Sequence, residues 1–142
     1  MKVVFDTNVI VSGLLWQGLP NKLLKLVKQE KLQFCISPSL LKELSRVLND
    51  PKFSPRIVHL NTSVEELITG LLELLTIFPD EKIEPVVKDD PDDDKVLSCA
   101  STSGAKYIIT GDPHLLELEI WSNISILSPR QFWNHIKIHE SR

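Results

Sequence analysis

Lys2-Val3-Val4-Phe5-Asp6-Thr7-Asn8 is the stretch on which the reading of this chain turns. Its apolar run has the character of a buried strand and leads straight into a carboxylate. A parallel strand covered on both faces reads as such a continuous apolar run. In open α/β sheets the ligand crevice lies beyond the carboxyl ends of the strands, which is where Asp6 would stand. A turn acid bonding its own backbone is the competing reading of Asp6.

A second stretch repeats the pattern. Tyr107-Ile108-Ile109-Thr110-Gly111-Asp112 is another apolar strand ending in an acid. Parallel neighbours that end in this way bring Asp6 and Asp112 to one edge of a sheet. Two like charges held a few ångströms apart repel, so one must protonate or a cation must sit between them. Mg²⁺ or Mn²⁺, hard cations with oxygen ligands, are the natural occupants.

Between the two strands the hydrophobic pattern alternates. Leu32–Ile36 reads as a second strand. Ser37-Pro38 reads as a helix start, a capping serine followed by proline at the first helical position. Leu40, Leu41, Leu44, Val47 and Leu48 then mark one helical face. Glu43 borders that stripe and by spacing alone is an ordinary rim glutamate. A helix is predicted from about Val64 to Ile77, capped by Thr62 or Ser63, and an extended, Pro-interrupted edge segment over Ile83–Val87. Residues 7–13 are predicted as a loop or tight turn, His114–Ile120 as a helix, Ile124–Leu127 as a last strand and Pro129 to about Lys137 as a closing helix. Strands alternating with helices argue for a parallel sheet with helices on both faces.

The acidic run Asp89-Asp90-Pro91-Asp92-Asp93-Asp94 opens a helix that reaches about Ser103. At 100° per residue, Leu97, Ala100 and Gly104 point within about 40° of Asp93, so Asp93 continues the apolar face. Asp90 and Asp92 are explained by helix capping. Asp94, about 100° away, is the rival to Asp93 as a site residue. Asn8 and Thr110 could orient Asp6 and Asp112 through hydrogen bonds. His135 and His139 have metal-ligand spacing on a helix but no third ligand near them, and are set aside.

Composition narrows the classes. The chain has 142 residues, consistent with one domain over 1–142 whose last residues, 138–142, fray. Cys35 and Cys99 form no metal-binding or CxxC spacing and read as buried small hydrophobes in a reducing compartment. A strand beginning at residue 2 leaves no room for a signal peptide, and Leu67–Phe78, the longest apolar stretch, is too short to span a bilayer, so a cytoplasmic location without membrane contact is expected. A formal net charge of −3 is unlike that of a protein gripping phosphates with Lys and Arg alone. Acidity is compatible with carboxylates that bind a metal which in turn binds phosphate. Lys22, Lys25, Lys28 and Lys31 spread over a wide helical face, to be solvated or to touch RNA.

Taken together, Val4-Phe5-Asp6-Thr7-Asn8-Val9, Glu43 after a Ser-Pro-Ser helix start, Asp90-Pro91-Asp92-Asp93-Asp94-Lys95 and Ile109-Thr110-Gly111-Asp112-Pro113-His114-Leu115-Leu116 resemble the PIN domain family. The resemblance is greatest to its branch of toxin components of toxin–antitoxin systems, akin to VapC-type ribonucleases. Order and spacing match from residue 2 to about residue 133. The resemblance implies a three-layer α/β/α sandwich around a parallel sheet of about five strands. It implies a Mg²⁺- or Mn²⁺-dependent endoribonuclease acting on single-stranded or structured RNA, with one or two ions per site. The family's four acids fall on Asp6, Glu43, Asp93 and Asp112, of which Asp6, Asp93 and Asp112 would bind metal. Its two accessory polar positions fall on Asn8 and Thr110. The third acid stays open between Asp93 and Asp94, and Asp90 is a further alternative. A small antitoxin covering the acids and a homodimer are the partners implied. The alternatives are a PIN-like RNA- or protein-binding module without catalysis, and a phosphatase opening with an acid after strand one. The phosphatase chemistry wants an aspartate where Asn8 stands.

Overall fold

A computed structural model describes residues 1–87 and 91–140. In chain order the elements are β1 (Lys2–Phe5), α1 (Thr7–Leu15), α2 (Leu19–Lys28), β2 (Gln33–Ile36), α3 (Pro38–Leu48), a 3₁₀ turn (Pro51–Phe53), α4 (Ser54–His59) and α5 (Val64–Leu72). There follow β3 (Leu75–Ile77), α6 (Pro91–Ser103), β4 (Tyr107–Ile109), α7 (Pro113–Leu116), β5 (Ile120–Trp121), β6 (Ile124–Leu127) and α8 (Pro129–Glu140). The strands form one sheet in the order β3-β2-β1-β4-β6-β5. Its five neighbouring strands from β3 to β6 are parallel, and short β5 adds antiparallel to the edge of β6. This is the α/β architecture expected, with one additional edge strand.

The order places a topological switch at β1 and β4. The chain leaves β1 to build β2 and β3 on one side, then returns through α6 to build β4 on the other. Ligands of open α/β sheets bind at such a switch, beyond the strand ends. Val3, Val4, Ile108 and Ile109 at this centre are fully buried, as a doubly covered parallel strand requires. Helix α6 packs across β1, β2 and β4, while α8 packs on β6 and α2.

Several local expectations are corrected. Residues 7–13 are helix, not loop: the backbone oxygen of Asp6 accepts from the amides of Val9 and Ile10 and starts α1 at once. The helix predicted to run to Ile77 stops at Leu72, and Leu75–Ile77 pairs in parallel with β2. Ile83–Val87 forms no strand, because the amides of Val86 and Val87 bond the Asp94 carboxylate (3.2 and 2.9 Å) instead of a neighbouring strand. The helix predicted over His114–Ile120 ends at Leu116, and Ile120–Trp121 turns back as a hairpin with β6. Ser122 and Asn123 at its tip both have positive φ (51° and 64°), the backbone of a two-residue type I′ turn.

Among the described residues no helix is long and apolar enough to cross a membrane. Cys35 and Cys99 are buried free thiols. The Tyr107 hydroxyl lies 2.9 Å from Nε2 of His135, which is thereby engaged in packing α8 against β4; the side chain of His139 lies outside the described residues.

Candidate active site

The site grows from the register of β1 against β4. Phe5 pairs with Ile109, and the Asp6 amide donates to the Ile109 carbonyl at 2.9 Å. The next side chains off the two strand ends, Asp6 and Thr110, therefore meet. The Thr110 hydroxyl donates to Oδ2 of Asp6 at 2.7 Å, and its Oγ1 accepts from the Asp112 amide at 2.9 Å. Thr110 is fully buried and ties the two acid-bearing turns together.

Asp6 is the residue before α1, yet its carboxylate makes no capping hydrogen bond to that helix. A cap of this kind is ordinarily worth about 0.5–2 kcal/mol. The side chain is directed to Thr110 instead. Asp112 does both jobs. It precedes α7, where its Oδ1 accepts the His114 amide at 2.8 Å, and it lines the cleft with Asp6.

Glu43 enters from α3, which starts where expected: the Ser37 hydroxyl accepts the Leu40 amide with Pro38 in the first turn. The Thr7 hydroxyl at the start of α1 donates to Oε2 of Glu43 at 2.7 Å. Asp93 projects from the first turn of α6 and is 4% exposed. Of its neighbours, Asp92 also reaches the cleft lining but is paired with Lys95 at 2.9 Å, whereas Asp94 turns away and holds the 86–87 backbone. The arc that continued the apolar face to Asp93 thus points into the cleft.

A cleft of about 190 Å³ is lined by Asp6, Asn8, Glu43, Asp92, Asp93 and Asp112, together with Thr7, Arg46 and Val47. The structure thus brings together Asp6, Glu43, Asp93 and Asp112. Asn8 is an exposed residue of its lining. Asp94 does not line it, and Asp90 lies outside the described residues. None of Lys22, Lys25, Lys28 and Lys31 lines it either; Lys22 lies over the Trp133 ring on α8. Arg46, an exposed cation at the lining, sits 3.9 Å from Glu43.

Three residues at or beside the cleft were not picked out from sequence. Thr7 is a plain helix-start residue until α3 is seen beside it. Arg46 follows Glu43 by one helical turn, outside the apolar stripe of α3. His114 stands two residues beyond Asp112, where an Asp-Pro-His turn was the available signal. One ligand atom each from Asp93, Asp112 and His114 lies within 4.8 Å of the others.

The carboxylates are electrostatically uncomfortable. Burial, foremost, pushes Asp6 above its usual range; the Thr110 hydroxyl opposes this and the Asp112 charge adds to it. Burial likewise raises Glu43, opposed by the Thr7 hydroxyl and reinforced by Asp92. Asp92 itself is held low, chiefly by its hydrogen bond to Lys95. Buried like charges of this sort favour a cation among them. The donor set fits a hard divalent ion, being carboxylate oxygen with one adjacent imidazole. Burial pushes the Cys99 thiol up to about 12, so it presents no thiolate.

Fold and site together define a class: a parallel α/β sheet with an acidic, metal-suited cleft at its topological switch. The profile of the PIN domain matches residues 2–114, and the chain belongs to the PIN domain family. The chain is also 35% identical over 119 residues to "Uncharacterized protein MJ1680" of Methanocaldococcus jannaschii, covering 83% of this chain and 75% of that one. No solved structure matches significantly.

Proposed function

We propose that the chain is a divalent-metal-dependent endoribonuclease that hydrolyses single-stranded RNA. The observation that carries this reading is the convergence of Asp6, Glu43, Asp93 and Asp112, from four separate elements, on one cleft. Membership of a family of nucleases supports it. Asp6, Asp93 and Asp112 would hold the ion, Mg²⁺ or Mn²⁺. When bound, such an ion supplies Lewis acidity at the phosphate and a water of lowered pKa.

The rest of the chemistry belongs to the protein. Thr110 fixes the rotation of the Asp6 carboxylate, and Thr7 fixes Glu43. Glu43, half-buried and with raised proton affinity, is suited to take a proton from the attacking water. In-line attack by water leaves a 5′-phosphate and a 3′-hydroxyl. Arg46 stands at the cleft lining, where a charged guanidinium meets the entering phosphate backbone.

The finer reading is a cytoplasmic toxin neutralised by a small protein that covers the acids. The sequence motifs support it, and a neighbouring short reading frame for a basic DNA-binding protein would test it. The enzyme reading is tested on total RNA. Cleavage is expected to stop with EDTA, and to fall at least ~10²-fold in Asp6→Asn and Asp112→Ala. Unchanged cleavage by a folded Asp6→Asn chain, or 2′,3′-cyclic phosphate ends, would overturn it. The first of these outcomes would favour a binding module.

A further inference from the structure

We propose that His114 supplies a nitrogen ligand to a divalent ion shared with Asp93 and Asp112, and that this imidazole makes the site prefer Mn²⁺ to Mg²⁺. The inference rests on the metal-dependent reading above and adds to it a donor outside the acidic set. Four residues separate β4 from His114, and the local turn places the ring beside Asp112. The Asp112 carboxylate accepts the His114 amide at 2.8 Å, closing a tight turn. That turn folds the imidazole back until Nδ1 lies 3.7 Å from Oδ1 of the same carboxylate.

This separation is too long for a hydrogen bond. It is the right size for two ligands of one ion. Donors each about 2.1 Å from a shared cation lie roughly 3.0 Å apart at right angles and about 4.2 Å apart when opposed. The separation of 3.7 Å falls between these limits. With Asp93 included, the three donor atoms span no more than 4.8 Å, so the set needs to draw in by only about half an ångström at its widest.

The three residues also differ in a useful way. Asp93 is buried in the first turn of α6, Asp112 is half-buried on a turn, and His114 is half-exposed on a four-residue helix. The exposed member can move onto an arriving ion without disturbing the core.

The identity of the donor sets the consequence. Mg²⁺ takes oxygen ligands and retains its waters, whereas first-row transition ions accept imidazole nitrogen. Adding one nitrogen to two carboxylates therefore shifts the balance toward Mn²⁺.

The test is binding of Mn²⁺ alone, and separately Mg²⁺ alone, to the full chain without RNA. Calorimetry gives affinities, and pulsed electron paramagnetic resonance reads nitrogen bound to Mn²⁺. We expect the wild-type spectrum to carry modulation from a directly bound nitrogen. His114→Ala should remove it and weaken Mn²⁺ binding by about 10-fold or more, leaving Mg²⁺ within about 3-fold. His114→Gln, which offers an amide oxygen, should also lose the nitrogen signal. Mn²⁺ binding that depends on Asp112 but shows no nitrogen signal in the wild type would overturn the assignment of His114 and leave the carboxylate site standing. A wild-type chain that binds neither ion would overturn both the assignment and the metal-dependent reading.

Discussion

Thr110 does more for the cleft than its type suggests. One hydroxyl donates to Asp6 and accepts from the Asp112 amide, deep in the molecule. Thr110→Val keeps the shape and removes both bonds. An orphaned buried donor or acceptor costs about 1–3 kcal/mol, so this variant should lose roughly that much stability in urea unfolding. It should also weaken Mn²⁺ binding, because Asp6 loses the bond that favours its charged form. Thr110→Ser keeps the hydroxyl and should recover most of both. A loss in the Ser variant as large as that in the Val variant would show that the hydroxyl alone does not carry the effect. The sequence named Thr110 as an orienting residue but for Asp112; the hydroxyl hydrogen goes to Asp6, 104 positions away, which no local pattern encodes.

The helix pair α1–α2 sets the position of Thr7, and with it Glu43. The pair approaches closely at Gly13. A Cβ there would sit 2.7 Å from Leu24 Cδ1 and 2.9 Å from the Pro20 carbonyl oxygen. The leucine end can move; the backbone oxygen cannot without shifting α2. Asn21 also donates to the Gly13 carbonyl at 2.8 Å. Mid-helix Gly→Ala normally gains up to about 1 kcal/mol. Here overpacking of about 1–3 kcal/mol opposes it, so Gly13→Ala is expected to lower the unfolding midpoint in a thermal scan. A raised midpoint would mean that the helices separate freely. At this scale the sequence was legible where periodicity was long, as in α3 and α6. It failed where short elements are decided by pairing. β3 reads as the tail of an amphipathic helix, and only its register with β2 makes it strand. The β5–β6 hairpin turns on Ser-Asn, without the glycine that usually marks such a turn.

For the whole molecule, the acidic cleft couples stability to pH and to metal. Asp6 and Glu43 ionise at higher pH in the fold than at their ordinary values of 3.8 and 4.5. Below those values both folded and unfolded chains hold the protons, and these groups do not affect stability. As pH rises through them the unfolded chain releases its protons first, so the metal-free fold loses stability. The loss is complete above the raised folded values. Urea titrations in EDTA should therefore show these two groups favouring the fold near pH 4 relative to pH 7.5. The double variant Asp6→Asn, Glu43→Gln should flatten that part of the profile; an unchanged profile would show that other groups set it. Excess Mn²⁺ at pH 7.5 should recover the lost stability in the wild type, since an ion bound only by the fold stabilises it.

The amino-acid sequence by itself determined the α/β class, the buried central strands and the types of residue available for chemistry. Those follow from local periodicity and from acids placed at strand ends. The tertiary structure decided which acids share a cleft, that Asp93 lines it while Asp94 holds the 86–87 segment, and that Thr7 and His114 stand beside them. The physical reason is range. Helical and strand periods act over a few residues, whereas the approach of β1, α3, α6 and the turn after β4 is set by sheet register and helix packing between parts of the chain far apart in sequence.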